Sequence, residues 1–400
     1  MNNFAFHVPT KVYFGKGQAS HLSELAAYGK SVLLVYGGGS IKKIPMGDTT
    51  LYDGVKAILA DAGLTVYELS GIAPNPKIQS VREGAAICKE KGIDMVLAVG
   101  GGSTIDAAKL IAAAAKYDGD AWQLVHHGER ILDALPIFTV LTLSATGIEM
   151  NRFSVVSDMT INEKWGTSSV FLKPEISILD PSLTCTVSAQ QTAAGTADIM
   201  SHVMECYFTK VDAYLQARFS EAILKTCIKY GPIAIENPDD YEARANLMWS
   251  SSWALNGLVE AGGEVTWGLH PIEHELSAYY DIVHGEGLAV LTPVWMRFAI
   301  EEDPSTIEKF AEYGVNVWGI PDGDDKLAIA KEAIEKTDAF FRNDLKIPMS
   351  LKEIGVPDDE FFKPMAERAA ESCKADSTSP DGSYVKLSAE AIEQILRDSF

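Results

Sequence analysis

The stretch IDMVLAVGGGSTIDAAKLIAAAAK, residues 93 to 116, decides the fold class. An apolar run from Ile93 to Val99 ends at the turn Gly100–Ser103, and the alanine-rich segment that follows predicts a helix at residues 104–116. A short apolar run bounded by glycine is typical of a buried strand. A strand, a glycine turn and a helix in this order can hold a phosphate, because glycine admits close approach and the first helical N–H groups point at the anion.

The same alternation continues on both sides of this stretch. Apolar runs predict further strands at residues 8–14, 31–36, 64–69 and 135–143, and helical periodicity predicts helices at 51–62 and 77–91. Alternating strands and helices predict a parallel sheet covered on both faces. After Asp180-Pro181 the signals are helical, beginning with a helix-cap spacing at Ser188. We expect an α/β dinucleotide-binding domain at residues 1–185 and an all-helical metal-binding and catalytic domain at residues 186–400.

Composition excludes several classes of partner. The chain has 400 residues, is 47% hydrophobic and carries a net charge of -21, which disfavours nucleic acids and anionic membranes as partners. It lacks a run of 18 apolar residues, so we expect no transmembrane helix. The five cysteines form no CxxC pair and are odd in number, which indicates reduced thiols and a cytoplasmic location.

A second glycine turn, Gly37-Gly38-Gly39-Ser40, follows the strand that ends at Tyr36. Neither turn matches GxGxxG or a P-loop, so either one could be a plain strand-to-helix reversal. We assign the pyrophosphate to the turn at Gly100–Ser103, with Asp106 following. At the first turn, Lys42 and Lys43 come next and no acidic residue occurs before Asp48, which favours NADP(H) over NAD(H).

Four of the eight histidines fall between residues 198 and 284. Asp198 and His202 are four residues apart, as are His270 and His274, so each pair shares a helix face. Together with His284, a carboxylate and imidazoles suit a divalent metal. Catalysis requires a further open position, which Fe²⁺ accepts more readily than Zn²⁺. The alternative from spacing alone is an interior polar network.

A divalent metal polarises a substrate oxygen as a Lewis acid. Beside a nicotinamide, this chemistry interconverts alcohols and aldehydes, with NADPH delivering hydride to the aldehyde or the reverse. The glycine turns suit a dinucleotide, and they are the reason to expect redox chemistry at the metal site.

Over its whole length the chain resembles the iron-containing alcohol dehydrogenases, and most closely their NADPH-dependent butanol dehydrogenase-like branch. The motifs that carry the resemblance include Thr192–His202, His270–His274, His284-Gly285-Glu286-Gly287, Tyr36–Lys43, Pro74-Asn75-Pro76, Gly100–Ser103 and Ala145-Thr146-Gly147. The resemblance implies a dehydroquinate synthase-like architecture, an alcohol or aldehyde substrate such as a butanol/butanal pair, and a homodimer.

The resemblance also implies roles for individual residues. The metal ligands would be Asp198, His202, His270 and His284, holding one Fe²⁺ or Zn²⁺, with His274 as a catalytic residue beside the nicotinamide and substrate. The NADP(H) contacts would come from Gly38, Gly39, Ser40, Asn75, Gly101, Gly102, Ser103, Asp106, Thr142, Asn151 and Lys164. One departure is Ile148, which stands where the family carries a small polar residue.

Three alternative functions remain at this point. A dehydroquinate-synthase-like lyase that uses NAD transiently would require a basic pocket, but residues 245–290 contain few lysines or arginines. A metal-dependent hydrolase would need no nucleotide. A non-catalytic metal-binding protein would leave two phosphate-type turns unexplained.

Overall fold

The computed structural model describes residues 1–379 and 383–400. The described chain forms two compact units. The sheet unit comprises His7–Val187 and Pro238–Ser252, and the helical unit comprises Met1–Phe6, Ser188–Asn237 and Trp253–Phe400. The segment Pro238–Ser252 thus groups with the sheet unit although it follows the predicted boundary at residue 186.

The regular elements are as follows. The strands are β1 (Lys11–Phe14), β2 (Ser31–Gly37), β3 (Pro45–Met46), β4 (Thr49–Thr50), β5 (Thr65–Ile72), β6 (Met95–Gly100), β7 (Ile137–Leu141), β8 (Phe153–Asp158), β9 (Glu163–Ser168) and β10 (Ile176–Leu179). The α-helices are α1 (Leu51–Asp61), α2 (Ile78–Lys91), α3 (Gly102–Ala114), α4 (Ala121–His126), α5 (Ala189–Tyr207), α6 (Tyr214–Glu236), α7 (Tyr241–Ala254), α8 (Leu269–Tyr280), α9 (His284–Glu302), α10 (Ile307–Trp318), α11 (Lys326–Ala339), α12 (Phe362–Asp376) and α13 (Ala389–Asp398).

The six-stranded sheet has the order β1-β10-β7-β6-β2-β5, and its strands pair in parallel. From β2 the chain runs outward to β5, then returns to β6 on the other side of β2. Connections therefore leave β2 and β6 in opposite directions, which makes this position the topological switch point of the sheet. Ligands of open α/β sheets bind outside the carboxyl ends of the strands at such a point.

Residues of β2 show why the sheet is covered on both faces. Leu33 and Val35 join one apolar cluster, whereas Val32 and Leu34 join the other. Successive side chains of a strand point to opposite faces, so an unbroken apolar run requires cover on each side. The prediction of a parallel sheet buried on both faces is confirmed.

The sequence patterns did not predict the antiparallel hairpin of β8 and β9. They also did not predict β10, which lies next to the edge strand β1. The sequence of β9, EKWGTS, contains few apolar residues and a glycine, so it has no strand-like alternation. The sequence of β10, ISIL, is only four residues long and lies between β1 and β7 in the sheet.

In the helical unit, α5 is buried along most of its length and packs against α6 and α9. Ser188 caps its start, because the Ser188 side chain accepts a hydrogen bond from the backbone N–H of Gln191 at 3.2 Å. Within the described residues, no strand occurs after residue 187, which confirms the predicted helical C-terminal half. Among these residues, no helix has the length and apolar character needed to span a membrane.

Candidate metal centre and nucleotide turns

Three helices of the helical unit bring the predicted metal ligands together. Helix α5 carries Asp198 and His202, His270 lies in the first turn of α8, and His284 is the first residue of α9. Asp198, His202 and His270 expose only 2%, 4% and 7% of their surfaces. Burial of a polar or charged side chain without a partner is energetically unfavourable. The groups around each of these side chains therefore determine its protonation state and its role.

The carboxylate of Asp198 lies at the centre of the cluster. Its Oδ1 atom is 3.2 Å from Nδ1 of His202, 3.8 Å from Nε2 of His270 and 3.8 Å from Nε2 of His284. The rings of His202 and His270 have centroids 4.4 Å apart. Asp198, His202 and His270 therefore form one group of possible metal-binding atoms, and His284 lies beside this group.

Each histidine also uses Nδ1 for a contact with an oxygen acceptor. Nδ1 of His202 lies 2.8 Å from the backbone carbonyl oxygen of Asp198. Nδ1 of His270 contacts Oε2 of Glu205, and Nδ1 of His284 contacts Oε2 of Glu273. A neutral imidazole has one N–H, so an Nδ1–H that donates to oxygen leaves the lone pair on Nε2.

Burial and nearby charges shift the pKa values of three residues in the cluster. Burial opposes ionisation of Asp198, but the nearby histidines outweigh it and lower the pKa of Asp198 to about 2. Burial lowers the pKa of His202 to about 4. Burial also disfavours the charged form of His270, but the carboxylates of Glu205 and Asp198 prevail and raise the pKa of His270 to about 10.

Two buried atoms favour a metal site over an interior polar network. Among the residues that the structure describes, neither Oδ1 of Asp198 nor Nε2 of His270 has a hydrogen-bond partner, although both atoms are buried. In a structural network such atoms are paired, because an unpaired buried polar atom costs about 1–3 kcal/mol. A carboxylate oxygen and an imidazole nitrogen are both ligands for Fe²⁺ and Zn²⁺. The donor set therefore fits a divalent metal.

The glycine turns lie in the sheet unit at its switch point. Tyr36 pairs with Val99, so the turns after β2 and β6 leave neighbouring strands at the same carboxyl edge. The N-terminus of α3 follows directly at Gly102. Both features suit a dinucleotide phosphate, since helix N-termini stabilise anions.

Two family models match the chain, one in each half. Residues 9–181 match the family model described as iron-containing alcohol dehydrogenase, and residues 192–400 match that of the Fe-containing alcohol dehydrogenase family, C-terminal. The chain belongs to the iron-containing alcohol dehydrogenases. The predicted family membership and the predicted class of activity, alcohol dehydrogenase or aldehyde reductase, are confirmed.

Relatives cover the chain along its length. The NADH-dependent butanol dehydrogenase A of Clostridium acetobutylicum is 50% identical over 402 residues, covering 100% of both chains. The NADPH-dependent aldehyde reductase YqhD of Escherichia coli is 39% identical, covering 89% of this chain and 90% of the relative. The crystal structure of NADH-dependent butanol dehydrogenase A from Thermotoga maritima has a TM-score of 0.92 at 37% identity, covering 100% of this chain and 99% of that one. These similarities decide against the lyase and hydrolase alternatives.

Three further residues that the family resemblance assigns to the coenzyme, Thr142, Asn75 and Lys164, also belong to the sheet unit. Thr142 donates its backbone N–H to the carbonyl oxygen of Gly100 at 3.0 Å, which places it beside the second turn. Farther along, Asn75 has a positive φ of 46° and is followed by Pro76, whose carbonyl accepts the N–H of Ser157 at 2.9 Å. Ser157 pairs with Lys164 across the hairpin, so Asn75 and Lys164 approach the same strand.

Asp106 and Asn151 have structural contacts of their own. Oδ1 of Asp106 accepts the backbone N–H of Val155 at 2.8 Å. The Asn151 amide donates to the carbonyls of Thr146 and Gly147 at 3.3 and 3.1 Å. Its Oδ1 accepts from Nζ of Lys109 at 3.1 Å and from the N–H of Phe153 at 2.9 Å. The Asn151 amide group is therefore already engaged in four hydrogen bonds within the sheet unit.

The departure at Ile148 has a packing explanation. Ile148 is 3% exposed and belongs to the apolar cluster on one face of the sheet. Beside it, the backbone N–H of Gly147 donates a hydrogen bond to the Ser251 hydroxyl oxygen at 3.1 Å. The segment is held by these contacts without a polar side chain at position 148.

Sequence reasoning missed three buried charged groups. Glu205 and Glu273 contact the candidate ligands His270 and His284. Lys109 donates three hydrogen bonds to Asn151 and Phe153 at 2.8–3.1 Å. A usable signal existed for Glu205, because it stands within an otherwise apolar stretch three residues after His202. Glu273 stands between the two histidines of His270–His274.

Proposed function

We propose that the protein transfers hydride reversibly between NADP(H) and a primary alcohol or aldehyde, using one divalent metal held by Asp198, His202, His270 and His284. The observation that carries the proposal is the convergence of these four side chains, with the unpaired atoms Asp198 Oδ1 and His270 Nε2 among them. When bound, such a metal supplies Lewis-acid polarisation of the substrate oxygen.

The chain itself supplies charge balance and orientation. A carboxylate with three neutral imidazoles leaves a divalent ion with one net positive charge. The Trp267 ring packs edge-on against His270, with centroids 5.0 Å apart, and against His202 at 6.0 Å. These contacts limit rotation of both rings, which keeps their nitrogen atoms directed at the same point.

We assign His274 to proton exchange with the substrate. His274 lies on α8, and its ring centroid is 5.6 Å from that of His284 and 6.2 Å from that of His270, so it adjoins two of the proposed ligands. His274 also belongs, with Glu273 and His284, to a second group of possible metal-binding atoms. The Glu273 contact to His284 Nδ1 supports a single metal, because that nitrogen already carries the hydrogen-bonding proton.

The coenzyme assignment rests on the first glycine turn. Gly39 has a φ of 104°, a backbone conformation that favours glycine. Gly38 does not have such a conformation, and a Cβ at position 38 would meet no atom of the described residues within 4 Å. Neither backbone strain nor packing explains Gly38, so close approach of a ligand to its backbone does. Nζ of Lys42 lies 4.7 Å from the centroid of the Tyr52 ring, which keeps a cation near the turn.

Glu68 is the carboxylate that the structure places in the same tyrosine cluster. Tyr36 and Tyr52 donate to it at 2.9 Å, and Lys56 lies 2.7 Å away. Burial opposes its ionisation, but these hydrogen bonds outweigh it and lower the pKa of Glu68. Because its oxygens are already engaged, Glu68 does not act as the free carboxylate that would favour a ribose 2′-hydroxyl.

Some relatives are named for NADH and others for NADPH, so the coenzyme preference of this protein has to be measured by enzyme kinetics. We expect kcat/KM with NADPH to exceed kcat/KM with NADH, and Ser40→Asp to shift that ratio at least tenfold toward NADH through repulsion of the 2′-phosphate. Position 40 is exposed, so the variant should keep its stability. An equal or higher kcat/KM with NADH for the unmodified protein contradicts the assignment.

Metal, substrate and assembly are tested separately. Elemental analysis of protein purified without chelators identifies Fe²⁺ or Zn²⁺, and His270→Ala and His284→Ala should each lose metal and turnover. Full activity of either variant without metal contradicts the proposed centre. We propose a butanal-like aldehyde, which a panel of chain lengths assayed with NADPH checks, and a homodimer, which sedimentation checks.

A further inference from the structure

The Glu205 carboxylate joins the end of α5 to the start of α8. Glu205 is 1% exposed. Its Oε1 accepts the backbone N–H groups of Gly268, Leu269 and His270 at 2.9, 2.5 and 3.2 Å. These belong to the first turn of α8, where N–H groups have no partner within the helix. The other oxygen, Oε2, contacts Nδ1 of His270.

Glu273 makes an equivalent contact to the third helix. It is 0% exposed, its Oε1 accepts from the Ser277 hydroxyl, and its Oε2 contacts Nδ1 of His284. The two carboxylates thus approach two of the ligand histidines from the side opposite Asp198, whose Oδ1 lies 3.8 Å from Nε2 of each ring.

We propose that Glu205 and Glu273 are positioning residues for the metal, each fixing one histidine with its proton on Nδ1 and its lone pair on Nε2. The inference rests on the proposed metal centre and assigns the groups that orient it. A carboxylate only accepts hydrogen bonds, so the ring nitrogen that faces it must carry the proton. The opposite nitrogen then points its lone pair toward Asp198. Partners of this kind typically contribute 10- to 100-fold to metal affinity.

Glutamine is the informative replacement at both positions. The carbonyl oxygen of a glutamine at position 205 can still accept the N–H groups of α8, so the helix start is retained. Its amide N–H₂ faces Nδ1 of His270 and makes that nitrogen an acceptor, which moves the ring proton to Nε2. Replacing a carboxylate with an isosteric amide costs a serine protease about 10⁴-fold in kcat by this same tautomer error.

The experiment compares Glu205→Gln and Glu273→Gln with Glu275→Gln. Glu275 is a matched control, since it is a buried glutamate on α8 that pairs with Arg368 at 2.8 Å. Zinc affinity is measured by chelator competition. We expect a loss of at least 10-fold for Glu205→Gln and for Glu273→Gln, and a change below threefold for Glu275→Gln. Wild-type zinc affinity in both test variants overturns the proposal.

A second measurement does not depend on how the variants fold. In the zinc-loaded unmodified protein with ¹⁵N-labelled histidine, long-range ¹H–¹⁵N spectra should show His270 and His284 protonated at Nδ1. A proton on Nε2, or zinc on Nδ1, overturns the proposal. If His270→Ala retains zinc, the proposed metal centre itself is wrong. If His270→Ala loses zinc while Glu205→Gln retains it, only the positioning role is wrong.

Discussion

Replacing Gly285 with alanine should disrupt the proposed metal centre without changing any of its proposed ligands. Gly285 follows His284 at the start of α9, where this helix crosses α5. A Cβ at position 285 would lie 2.0 Å from the carbonyl oxygen and 2.6 Å from the carbonyl carbon of Ala194. Both are backbone atoms of α5, so no rotamer change relieves the collision.

The size of the effect follows from that distance. Ordinary contact begins at about 3.4 Å, so the helices must separate locally by about 1.4 Å. Asp198 is one turn from Ala194, and its Oδ1 lies only 3.8 Å from Nε2 of His284. Catalytic and binding geometry tolerates displacements of about 0.5 Å. We expect the free energy of unfolding to fall by about 1–3 kcal/mol, and zinc affinity to fall at least tenfold, or about 1.4 kcal/mol.

Urea denaturation of the chelator-treated protein measures the first quantity, and chelator competition measures the second. Gly323→Ala is the control, because a Cβ at position 323 meets no atom within 4 Å in the part of the chain that the structure describes, and the Gly323 backbone is unstrained. The control should leave zinc affinity unchanged. If Gly285→Ala binds zinc like the unmodified protein and unfolds within about 0.5 kcal/mol of it, the argument from helix proximity is wrong.

Three further predictions concern the buried lysine, the pH dependence of metal uptake and the cap of α5. Lys109→Met should lower the free energy of unfolding by about 3–5 kcal/mol in urea, since it removes a buried hydrogen-bonded amine near Asp106 and Glu149. The control Lys116→Met, at an exposed lysine, should change the free energy of unfolding by under about 0.5 kcal/mol. Equal losses of stability in the two variants would refute the stabilising role of the buried Lys109 amine. Because Glu205 and Asp198 overcome burial and raise the pKa of His270 to about 10, a metal must displace a proton from that ring. Zinc affinity should therefore rise about tenfold per pH unit between pH 6.5 and 8.5. Calorimetry in two buffers should show about one proton released per zinc bound at pH 8, and the absence of proton release would contradict the raised pKa of His270. Ser188→Ala should cost about 1 kcal/mol in thermal unfolding, and an unchanged melting temperature would show that the Gln191 N–H needs no cap.

Local periodicity explains why so much of the architecture was predictable. The strand at 93–99 and the helix at 104–116 appear as β6 and α3, shifted by one or two residues. The i, i+4 spacing of Asp198 and His202 requires only a helix to bring them together, and the structure has them 3.2 Å apart. Such features depend on neighbours in sequence, so the pattern of residues contains them.

Contacts between residues far apart in the chain could not be predicted from local sequence patterns. Glu205 contacts His270 across 65 residues, and nothing in the local pattern identifies that partner. The segment Pro238–Ser252 reads as an ordinary helix start, but its Ser252 hydroxyl donates to the buried carboxylate of Glu149 in the sheet unit. The Asn151 amide carries no sign in the sequence of its four hydrogen bonds within the fold. For Glu205 and Ser252 the deciding contact lies far away in the chain, and for Asn151 the distant partner is Lys109.

The stretch His284-Gly285-Glu286-Gly287 shows how one short motif serves several contacts. His284 supplies the candidate ligand, and Gly285 leaves room for Ala194 on α5. The Glu286 carboxylate accepts a hydrogen bond from Gln190 at 2.8 Å, which connects the same two helices again. A Cβ at Gly287 would lie 2.9 Å from Cγ of Glu273, the residue that contacts His284 Nδ1. The motif therefore sets the separation of α5, α8 and α9 as well as donating a ligand, so substitutions within it should not act independently.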